Sequence, residues 1–346
     1  MAAAGLTLAL SACASDSAED YPDRTIEVTA GWSAGGTSDL AARQLAQGLE
    51  ENLGETTQVT NVEGATGGVG ASQVFHEPAD GYNIFAGASV HGLWGVTEQA
   101  DVGPEDFYAF LAGESPTTIY VSGDSEYETL DDLVEALEEN PGMRYGTPGP
   151  GSNGHMFGEL FLEEAGVEAE HVPYDGGSEA GRYLMSGDIE FAVVTLGDLL
   201  NLVDSDDAKP LVNLYEEPLE VSGLEIDPVT DYYPDLAEQT AINPYFGLYV
   251  SRETPPEIVE QIEGAVEATV DDDEFRQWYT EEMGGVPELS VGEESDDIMH
   301  RIESARSWAL WDLGIAEVNP EELDIPKLED YSYPPHERAK EASEWP

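Results

Sequence analysis

Apolar and polar residues alternate over Ile26–Ala30, a pattern that predicts a short β-strand with one buried face. A glycine-rich turn follows at residues 31–36. Apolar residues then recur at helical spacing over residues 40–49, and Thr37 or Ser38 is suited to cap that helix. This strand–turn–helix unit presents free backbone N–H groups at a helix N-terminus, a favourable place for an anion. We therefore expect the chain to be organised around it.

The order of strand, turn and helix recurs along the sequence. Further strands are predicted at residues 57–62, 83–87, 118–121, 143–146, 171–174, 189–194 and 246–250. Further helices are predicted at residues 71–74, 130–137, 156–165, 178–186 and 257–270. Strands that alternate with helices predict an α/β fold with mostly parallel sheets. Residues 319–346 are acidic and rich in proline, and two alternatives stay open for them, an irregular packed strap or a loose tail.

The charge of the chain is its most unusual property. Its 346 residues include 73 Asp and Glu but only 12 Lys and Arg, which gives a formal net charge of −61. No basic surface is available to neutralise phosphates, so nucleic-acid binding is excluded. We interpret the acid groups as a solvated, halophile-like surface adapted to molar salt. The alternative is an acidic mimic of a partner or a sponge for cations.

A second anion-binding turn is predicted near the middle of the chain. Residues 147–155 repeat the first pattern, because a strand runs through glycines and small polar residues into a helix. Each of the two turns can offer backbone donors to one carboxylate. We expect the pair to face each other across a cleft, where a dicarboxylate is the simplest ligand that reaches both. The strand ends after Gly87 and Val194 should line the sides.

Two enzyme patterns are also present. Gly31, Ser33 and Gly35 match the GxSxG turn of a serine hydrolase, and a secreted hydrolase that uses Ser33 is the alternative function. This turn follows the first predicted strand, however, so no earlier strand–loop supplies the second oxyanion donor. Residues 149–154 match the dinucleotide pattern GxGxxG, but two prolines stiffen that turn and it lies in mid-chain. We predict no cofactor and no metal site.

The single cysteine, Cys13, follows a short apolar segment at residues 1–12 and precedes a polar stretch at residues 14–20. Residues 10–13, Leu-Ser-Ala-Cys, resemble the lipobox at which lipoprotein signal peptides are cut and the cysteine is lipidated. We therefore expect residues 1–20 to be signal peptide, lipobox and tether. A lipid on Cys13 would anchor the protein to the outer face of the cell membrane. The alternative is a frayed N-terminus with an incidental buried cysteine.

An ordered set of short motifs resembles one known family. The motifs are Tyr21-Pro22-x-Arg24, Ala34-Gly35-Gly36-x-x-Asp39, Asp80-Gly81-Tyr82, Tyr145-Gly146-Thr147, Gly149-x-Gly151-Ser152-x-x-His155 and His171-Val172-Pro173-Tyr174. Together they resemble the extracytoplasmic substrate-binding proteins of the tripartite tricarboxylate transporter systems, also called Bug receptors. Asp175 is a departure, because the family often has a basic residue there, and its loss removes a cation near the cleft.

The resemblance implies a monomeric, non-enzymatic, periplasmic-binding-protein-like fold of type II, a venus flytrap with a hinge. Lobe 1 would comprise residues 21–118 and 246–318, lobe 2 residues 119–245, and residues 319–346 a C-terminal extension. A small di- or tricarboxylate would be held between the lobes and delivered to membrane transporter subunits. Ligand-binding positions implied on the first lobe are Trp32, Ser33, Ala34, Gly35, Gly36, Ser38, Asp39, Ala88 and Ser89. Those implied on the second lobe are Thr147, Gly149, Gly151, Ser152, Asn153, His155, Thr195 and Asp198.

Two of these positions have a second interpretation. Asp39 is better suited to cap and orient the first helix than to meet an anionic ligand. His155 lies in a first helical turn, where it either contacts ligand as a neutral imidazole or caps its own backbone. The same fold also allows a ligand-sensing receptor that acts on a membrane kinase.

The charge generates the first testable prediction. Self-repulsion at a net charge of −61 should destabilise the compact state at low ionic strength. The screening length shortens from about 10 Å at 0.1 M salt to about 3 Å at 1 M salt. Thermal denaturation followed by circular dichroism should therefore give a melting temperature that rises steeply between these concentrations. A flat profile would contradict adaptation to salt.

Overall fold

The computed structural model describes residues 21–89, 91–215, 217–221, 223–237, 243–336 and 339. Cys13 and the rest of the predicted signal peptide and tether lie outside these residues. Within the described part of the chain, no helix combines the length and the apolar character that crossing a bilayer requires.

Thirteen strands are numbered along the described chain. They are β1 Ile26–Ala30, β2 Thr57–Asn61, β3 Asn83–Ala88, β4 Phe107–Glu114, β5 Thr117–Ser122, β6 Arg144–Thr147, β7 Glu170–Pro173, β8 Phe191–Thr195, β9 Ala208–Asn213, β10 Leu219–Val221, β11 Leu224–Ile226, β12 Tyr245–Ser251 and β13 Val286–Ser290. The helices are α1 Thr37–Leu53, α2 Gly68–His76, α3 His91–Val96, α4 Leu130–Glu139, α5 Asn153–Ala165, α6 Gly177–Ser186, α7 Leu196–Val203, α8 Pro256–Val270, α9 Asp273–Glu282 and α10 Gly292–Asp312. These elements form the α/β fold that the alternating pattern predicts.

The strands form two main sheets and a small ribbon. The first sheet has the order β13-β4-β12-β3-β1-β2, the second has the order β7-β6-β8-β5-β9, and β10 pairs with β11. Strands β1, β2 and β3 pair in parallel, whereas β12 and β13 join the first sheet antiparallel. In the second sheet β6 is parallel to both neighbours and β5 is antiparallel to both of its own. The expectation of mostly parallel sheets is wrong, because both sheets are mixed.

The mixed character has a topological cause. The chain leaves the first sheet at the end of β4, enters the second at β5, and returns through β12. The returning strand runs antiparallel to β3 and β4, between which it is inserted. The two crossing segments lie side by side, since the Ser115 amide donates to the carbonyl of Pro244 at 3.2 Å and the Thr117 amide donates to Asn243 Oδ1 at 3.3 Å.

The strands that the sequence pattern did not predict are either buried along almost their whole length or lie at the edge of a sheet. Seven of the eight residues of β4 are buried, so its sequence has no alternation from which a strand could be told from a buried helix. The edge strand β13 carries a proline and exposed side chains. By contrast, the helix α4 begins where the pattern predicts it, because Thr129 and Asp132 form a reciprocal cap.

Residues 319–336 pack on α10, which decides between the two alternatives left open for them. Ile325 is buried, and its carbonyl accepts a hydrogen bond from Trp308 Nε1 at 3.1 Å. Further along, the Tyr331 hydroxyl donates to the carboxylate of Asp297 at 2.9 Å. The described part of the extension is therefore a packed strap.

Candidate functional site

A small cavity lies between the two sheets, at the ends of the helices that follow β1, β6, β7 and β8. Its volume is about 40 Å³, counted as the space open to the centre of a water molecule. Its walls comprise Trp32, Ser33, Gly36, Thr37, Ser38, Thr66, Ala88, Pro148, Ser152, Asn153, Gly154, Gly176, Gly177, Thr195, Asp198, Pro244 and Phe246. Residues from both sheets contribute, so the cavity forms only when the two sheets approach each other.

Four helices point their N-termini at this cavity. The first residues or caps of α1, α5, α6 and α7 all belong to its lining. Ser152 caps α5, because its hydroxyl accepts a hydrogen bond from the His155 amide at 3.3 Å. Helix N-termini carry unsatisfied N–H groups and a partial positive charge. The two predicted turns thus both border the cavity, and the N-termini of α6 and α7 border it as well.

One of these sites is already occupied by a carboxylate of the protein itself. Asp198 Oδ1 accepts a hydrogen bond from the amide of Thr37, the first residue of α1, at 2.7 Å. Its Oδ2 accepts a hydrogen bond from the Thr195 amide at 3.0 Å, and this contact caps α7, the helix to which Asp198 belongs. Burial raises the pKa of Asp198 to about 6, although both backbone hydrogen bonds act to lower it. This carboxylate joins the first sheet's leading helix to the second sheet.

The backbone at the start of α6 approaches the Asp198 carboxylate closely. A Cβ atom on Gly177 would lie 2.0 Å from Asp198 Oδ2. Glycine at the start of α6 is therefore required by close approach of the backbone to the carboxylate.

Further contacts hold the two halves of the cavity together. Ser33 Oγ lies 3.0 Å from Ser178 Oγ, and the Ser33 amide donates to the carbonyl of Asp175 at 3.1 Å. Ser178 Oγ also donates to the carbonyl of Ala34 at 3.2 Å. Among the described residues no imidazole or carboxylate hydrogen-bonds Ser33 Oγ, and a serine nucleophile needs such a base within reach. The geometry gives the hydrolase alternative no support.

Asn153 and Thr37 are the lining residues with buried polar side-chain atoms that make no hydrogen bond within the described chain, and Asn153 has two such atoms. Asn153 is 7% exposed, and neither its Oδ1 nor its Nδ2 makes a hydrogen bond within the described chain. A buried amide without partners is costly, and such groups in native proteins usually have a functional reason. Asn153 sits in the first turn of α5, beside the cap Ser152, so a ligand in the cavity can supply both a hydrogen-bond donor and an acceptor to it.

The apolar walls come from both sheets. Trp32 is 6% exposed, and a Cβ atom on Gly87 would lie 2.1 Å from its ring. The ring therefore packs closely against Gly87 of the first sheet. The other apolar residues in the lining are Ala88, Pro148 and Phe246. These groups suit the carbon skeleton of a small ligand.

The lining separates the predicted positions into two groups. Those that line the cavity are Trp32, Ser33, Gly36, Ser38, Ala88, Ser152, Asn153, Thr195 and Asp198. Those that lie outside its lining are Ala34, Gly35, Asp39, Ser89, Thr147, Gly149, Gly151 and His155. Lining residues that sequence reasoning missed are Thr37, Thr66, Pro148, Gly154, Gly176, Gly177, Pro244 and Phe246.

Asp39 hydrogen-bonds the first glycine-rich turn from a position outside the cavity lining. Its Oδ2 accepts hydrogen bonds from the Gly35 amide and from Arg43 Nε, each at 2.9 Å, and its Oδ1 accepts from Asn61 Nδ2 at 2.8 Å. Burial alone would raise the pKa of Asp39, but these hydrogen bonds outweigh it and hold the pKa below its usual value. Asp39 thus orients the first turn and helix, as the second interpretation of it proposes.

His155 has a comparable role in the second turn. Its Nδ1 accepts a hydrogen bond from the Gly151 amide at 3.0 Å, and its ring stacks on His171 with centroids 3.7 Å apart. Burial lowers the pKa of His155 to about 4, and burial together with His155 lowers the pKa of His171 to about 3. Both rings are therefore neutral at pH 7, and they fix residues 149–151 in the shape that lets Ser152 and Asn153 face the cavity.

Arg306 is a buried cation close to the cavity that sequence reasoning did not select. Arg306 on α10 is 2% exposed, and its Nη1 donates to the carbonyl of Ser89 at 2.6 Å. Burial lowers the pKa of Arg306 to about 9, so the guanidinium stays charged at pH 7. It places a desolvated positive charge one residue from Ala88 and so favours an anion on the cavity side.

Comparison with known proteins agrees with this geometry. The family model described as "Tripartite tricarboxylate transporter family receptor" matches residues 41–299. A protein of Pseudomonas sp. (strain P51), named as the UPF0065 protein in the tcbD-tcbE intergenic region, is 27% identical over 305 residues and covers 83% of this chain and 87% of its own.

Two solved structures are similar in fold. Rpa4515 of R. palustris with adipate superposes with a TM-score of 0.80 at 24% identity, and covers 86% of this chain and 99% of its own. MatC (Rpa3494) of Rhodopseudomonas palustris with bound malate superposes with a TM-score of 0.74 at 20% identity, and covers 85% and 99%. These likenesses confirm the periplasmic-binding-protein fold. Because the family model matches most of its length, the chain belongs to the tripartite tricarboxylate transporter receptor family.

Proposed function

We propose that this protein is an extracytoplasmic receptor that closes around a small carboxylate and delivers it to a tripartite tricarboxylate-type membrane transporter. The observation that carries the proposal is the unpartnered amide of Asn153 beside four helix N-termini in a small cavity. Membership of the family supports the same role. The structural neighbours with adipate and malate support a ligand with two carboxylates, and Asn153 can serve a hydroxyl group as well as a carboxylate.

We propose the following domain division. Lobe 1 comprises residues 21–118 and 246–318, lobe 2 comprises residues 119–245, and residues 319–346 are a C-terminal extension. The sheet content supports this division to within two residues, because β1–β4, β12 and β13 form the first sheet and β5–β9 form the second, with β5 beginning at Thr117 and β12 at Tyr245. The hinge is then the pair of crossing segments around Ser115 and Pro244.

The ligand would be held chiefly by neutral donors. One carboxylate would meet the N-terminus of α5, where Ser152 and Asn153 lie, and the other would meet the N-termini of α1 and α6 next to Asp198. Within the described residues no lysine or arginine lines the cavity, so helix dipoles and the buried charge of Arg306 provide the positive potential. We further propose that the protein acts as a monomer and without catalytic activity, since Ser33 lacks a base.

Asn153 provides a direct test of the ligand site. Asn153→Leu keeps the side-chain size but removes both polar atoms, so ligand affinity should fall by about 10- to 100-fold, the value of a hydrogen bond to a charged group. The unliganded melting temperature should stay unchanged or rise, because an unpaired buried amide is removed. The measurement is a thermal-shift panel in high salt with succinate, malate, aspartate, citrate, adipate and aromatic monocarboxylates, followed by calorimetry on the hit.

The matched control is Asn201→Leu on the exposed side of α7, which should leave affinity unchanged. A panel in which sugars or cationic amino acids raise the melting temperature and no carboxylate does would contradict the proposed ligand class.

Asp198 should make binding depend on pH. Burial in the cavity wall raises its pKa to about 6, whereas an open, solvated carboxyl titrates near 4. The closed form therefore takes up a proton as pH falls through this window, and acidification favours closure around an anion. We expect the ratio of ligand affinities between wild type and Asp198→Asn to rise about tenfold between pH 7.5 and pH 5.

Taking the ratio at each pH removes the titration of the ligand itself. Asp204→Asn, at the exposed end of α7, is the control and should leave the wild-type profile unchanged. A ratio independent of pH would show that Asp198 does not titrate on closure.

Anchoring is proposed on the N-terminal motif alone, because Cys13 lies outside the described residues. If Cys13 is lipidated, the native protein should sediment with membranes, and Cys13→Ser should release it into the soluble fraction. The intact mass should also lose the lipid. A wild-type protein that is soluble with an unmodified Cys13 would overturn the anchor.

A further inference from the structure

A cluster of ligating side chains lies far from the carboxylate cavity, where the C-terminal strap crosses α10. It consists of His300 and Glu303 on α10 and His336 on the strap. One nitrogen or oxygen atom from each residue lies within 4.8 Å of the other two. The cluster lies outside the lining of the carboxylate cavity, and the proposed function does not use it.

The hydrogen bonding of His300 leaves one ring nitrogen available to a metal ion. It is 1% exposed, and its Nδ1 lies 2.8 Å from the backbone carbonyl of Asp296. A carbonyl can only accept, so Nδ1 carries the proton and Nε2 carries a lone pair. That Nε2 is buried and makes no hydrogen bond with the described chain. A histidine whose Nδ1 donates to a backbone carbonyl while Nε2 stays open is the arrangement that metal-binding histidines use.

Glu303 and His336 are the other two candidate metal ligands. Glu303 follows His300 by three residues on the same helix face, and it is 8% exposed. His336 Nε2 lies 4.0 Å from Glu303 Oε2, and its ring meets that of His300 edge-on with centroids 5.6 Å apart. A carboxylate that is this deeply buried calls for a positive partner.

An opening leads to the cluster. A cavity of about 200 Å³ is bordered by Glu303 and His336 and also by Asp101 and Glu105. The additional carboxylates favour entry of a cation. A Cβ atom on Gly92 of α3 would lie 2.3 Å from that of Glu303, so α3 holds the glutamate closely in place.

We propose that His300, Glu303 and His336 bind one divalent transition-metal ion of the zinc class. Two imidazoles and one carboxylate form a ligand set that zinc accepts, with water in the fourth position, whereas Mg²⁺ and Ca²⁺ prefer oxygen ligands alone. Bonds of about 2.1 Å place tetrahedral ligands about 3.4 Å apart, so the separations within the cluster, now up to 4.8 Å, must shorten by up to about 1.4 Å. His336 can make this movement because it lies on a separate segment.

Metal binding would alter one contact of the strap. The Nδ1 of His336 accepts a hydrogen bond from the Ala339 amide at 3.1 Å. Coordination through Nε2 moves the imidazole proton to Nδ1, so this hydrogen bond is exchanged for the metal bond. The ion would thereby clamp the strap to α10, the helix whose Arg306 supports the wall of the ligand cavity.

Co²⁺ is the probe, because its visible absorption reports the coordinating atoms and its geometry. The full protein in about 1 M NaCl, with a large excess of Mg²⁺ to occupy surface carboxylates, should bind one Co²⁺ per chain and develop intense d–d bands. Zn²⁺ should displace the Co²⁺ and raise the melting temperature. Both effects should be reversed by excess EDTA, which removes the ion from the site.

His300→Gln and His336→Gln should each weaken Co²⁺ binding by more than about 100-fold, since even groups that only orient a metal ligand contribute 10- to 100-fold. His76→Gln on the exposed end of α2 is the matched control and should bind as wild type does. If His300→Gln fails to fold, His336→Gln on the half-buried strap decides. Binding that excess Mg²⁺ abolishes, or that survives His336→Gln, would overturn the proposal. A protein whose absorption and melting temperature are both unaffected by Co²⁺ would overturn it too.

Discussion

The structure depends above all on the Asp198 carboxylate at the N-terminus of α1. The residue belongs to the second sheet's helix α7, yet one of its oxygens is held by the backbone of Thr37 on the first sheet's leading helix. A helix N-terminus attracts an anion, so the two halves of the molecule are joined by the same force that would draw a ligand. The link has a cost, because burial disfavours the charged carboxylate and raises its pKa to about 6. Under the proposed function, this acidic group would couple ligand capture to closure.

The proposed site must bind an anion within a chain that carries a large negative charge. A protein with a net charge of −61 repels a small carboxylate at long range. Salt screens that repulsion over a few ångströms, whereas helix dipoles act within a single turn and remain effective in a dry cavity. The buried guanidinium of Arg306 adds a positive charge beside the carbonyl of Ser89. Local donors can thus bind an anion inside an acidic protein.

Rigid support for both turns comes from side chains that do not themselves face the cavity. Asp39 binds the Gly35 amide and Arg43, and His155 binds the Gly151 amide while stacking on His171. Each group holds a glycine-containing loop whose backbone would otherwise be free to move. The functional hydroxyls and amides are therefore positioned by a neighbouring layer of polar contacts.

The sequence by itself determined the α/β class, the family motifs and the two turns that end at Gly36 and Ser152, because glycine placement and alternating apolar residues are local signals. It could not determine that the sheets are mixed, since pairing direction depends on where β12 returns. Nor could it identify Gly177, Phe246 or Arg306, which reach the site from segments distant along the chain. Only the tertiary structure decided which member of each turn faces the cavity, and it placed His300 beside His336, because contact between remote segments is a property of packing rather than of local pattern.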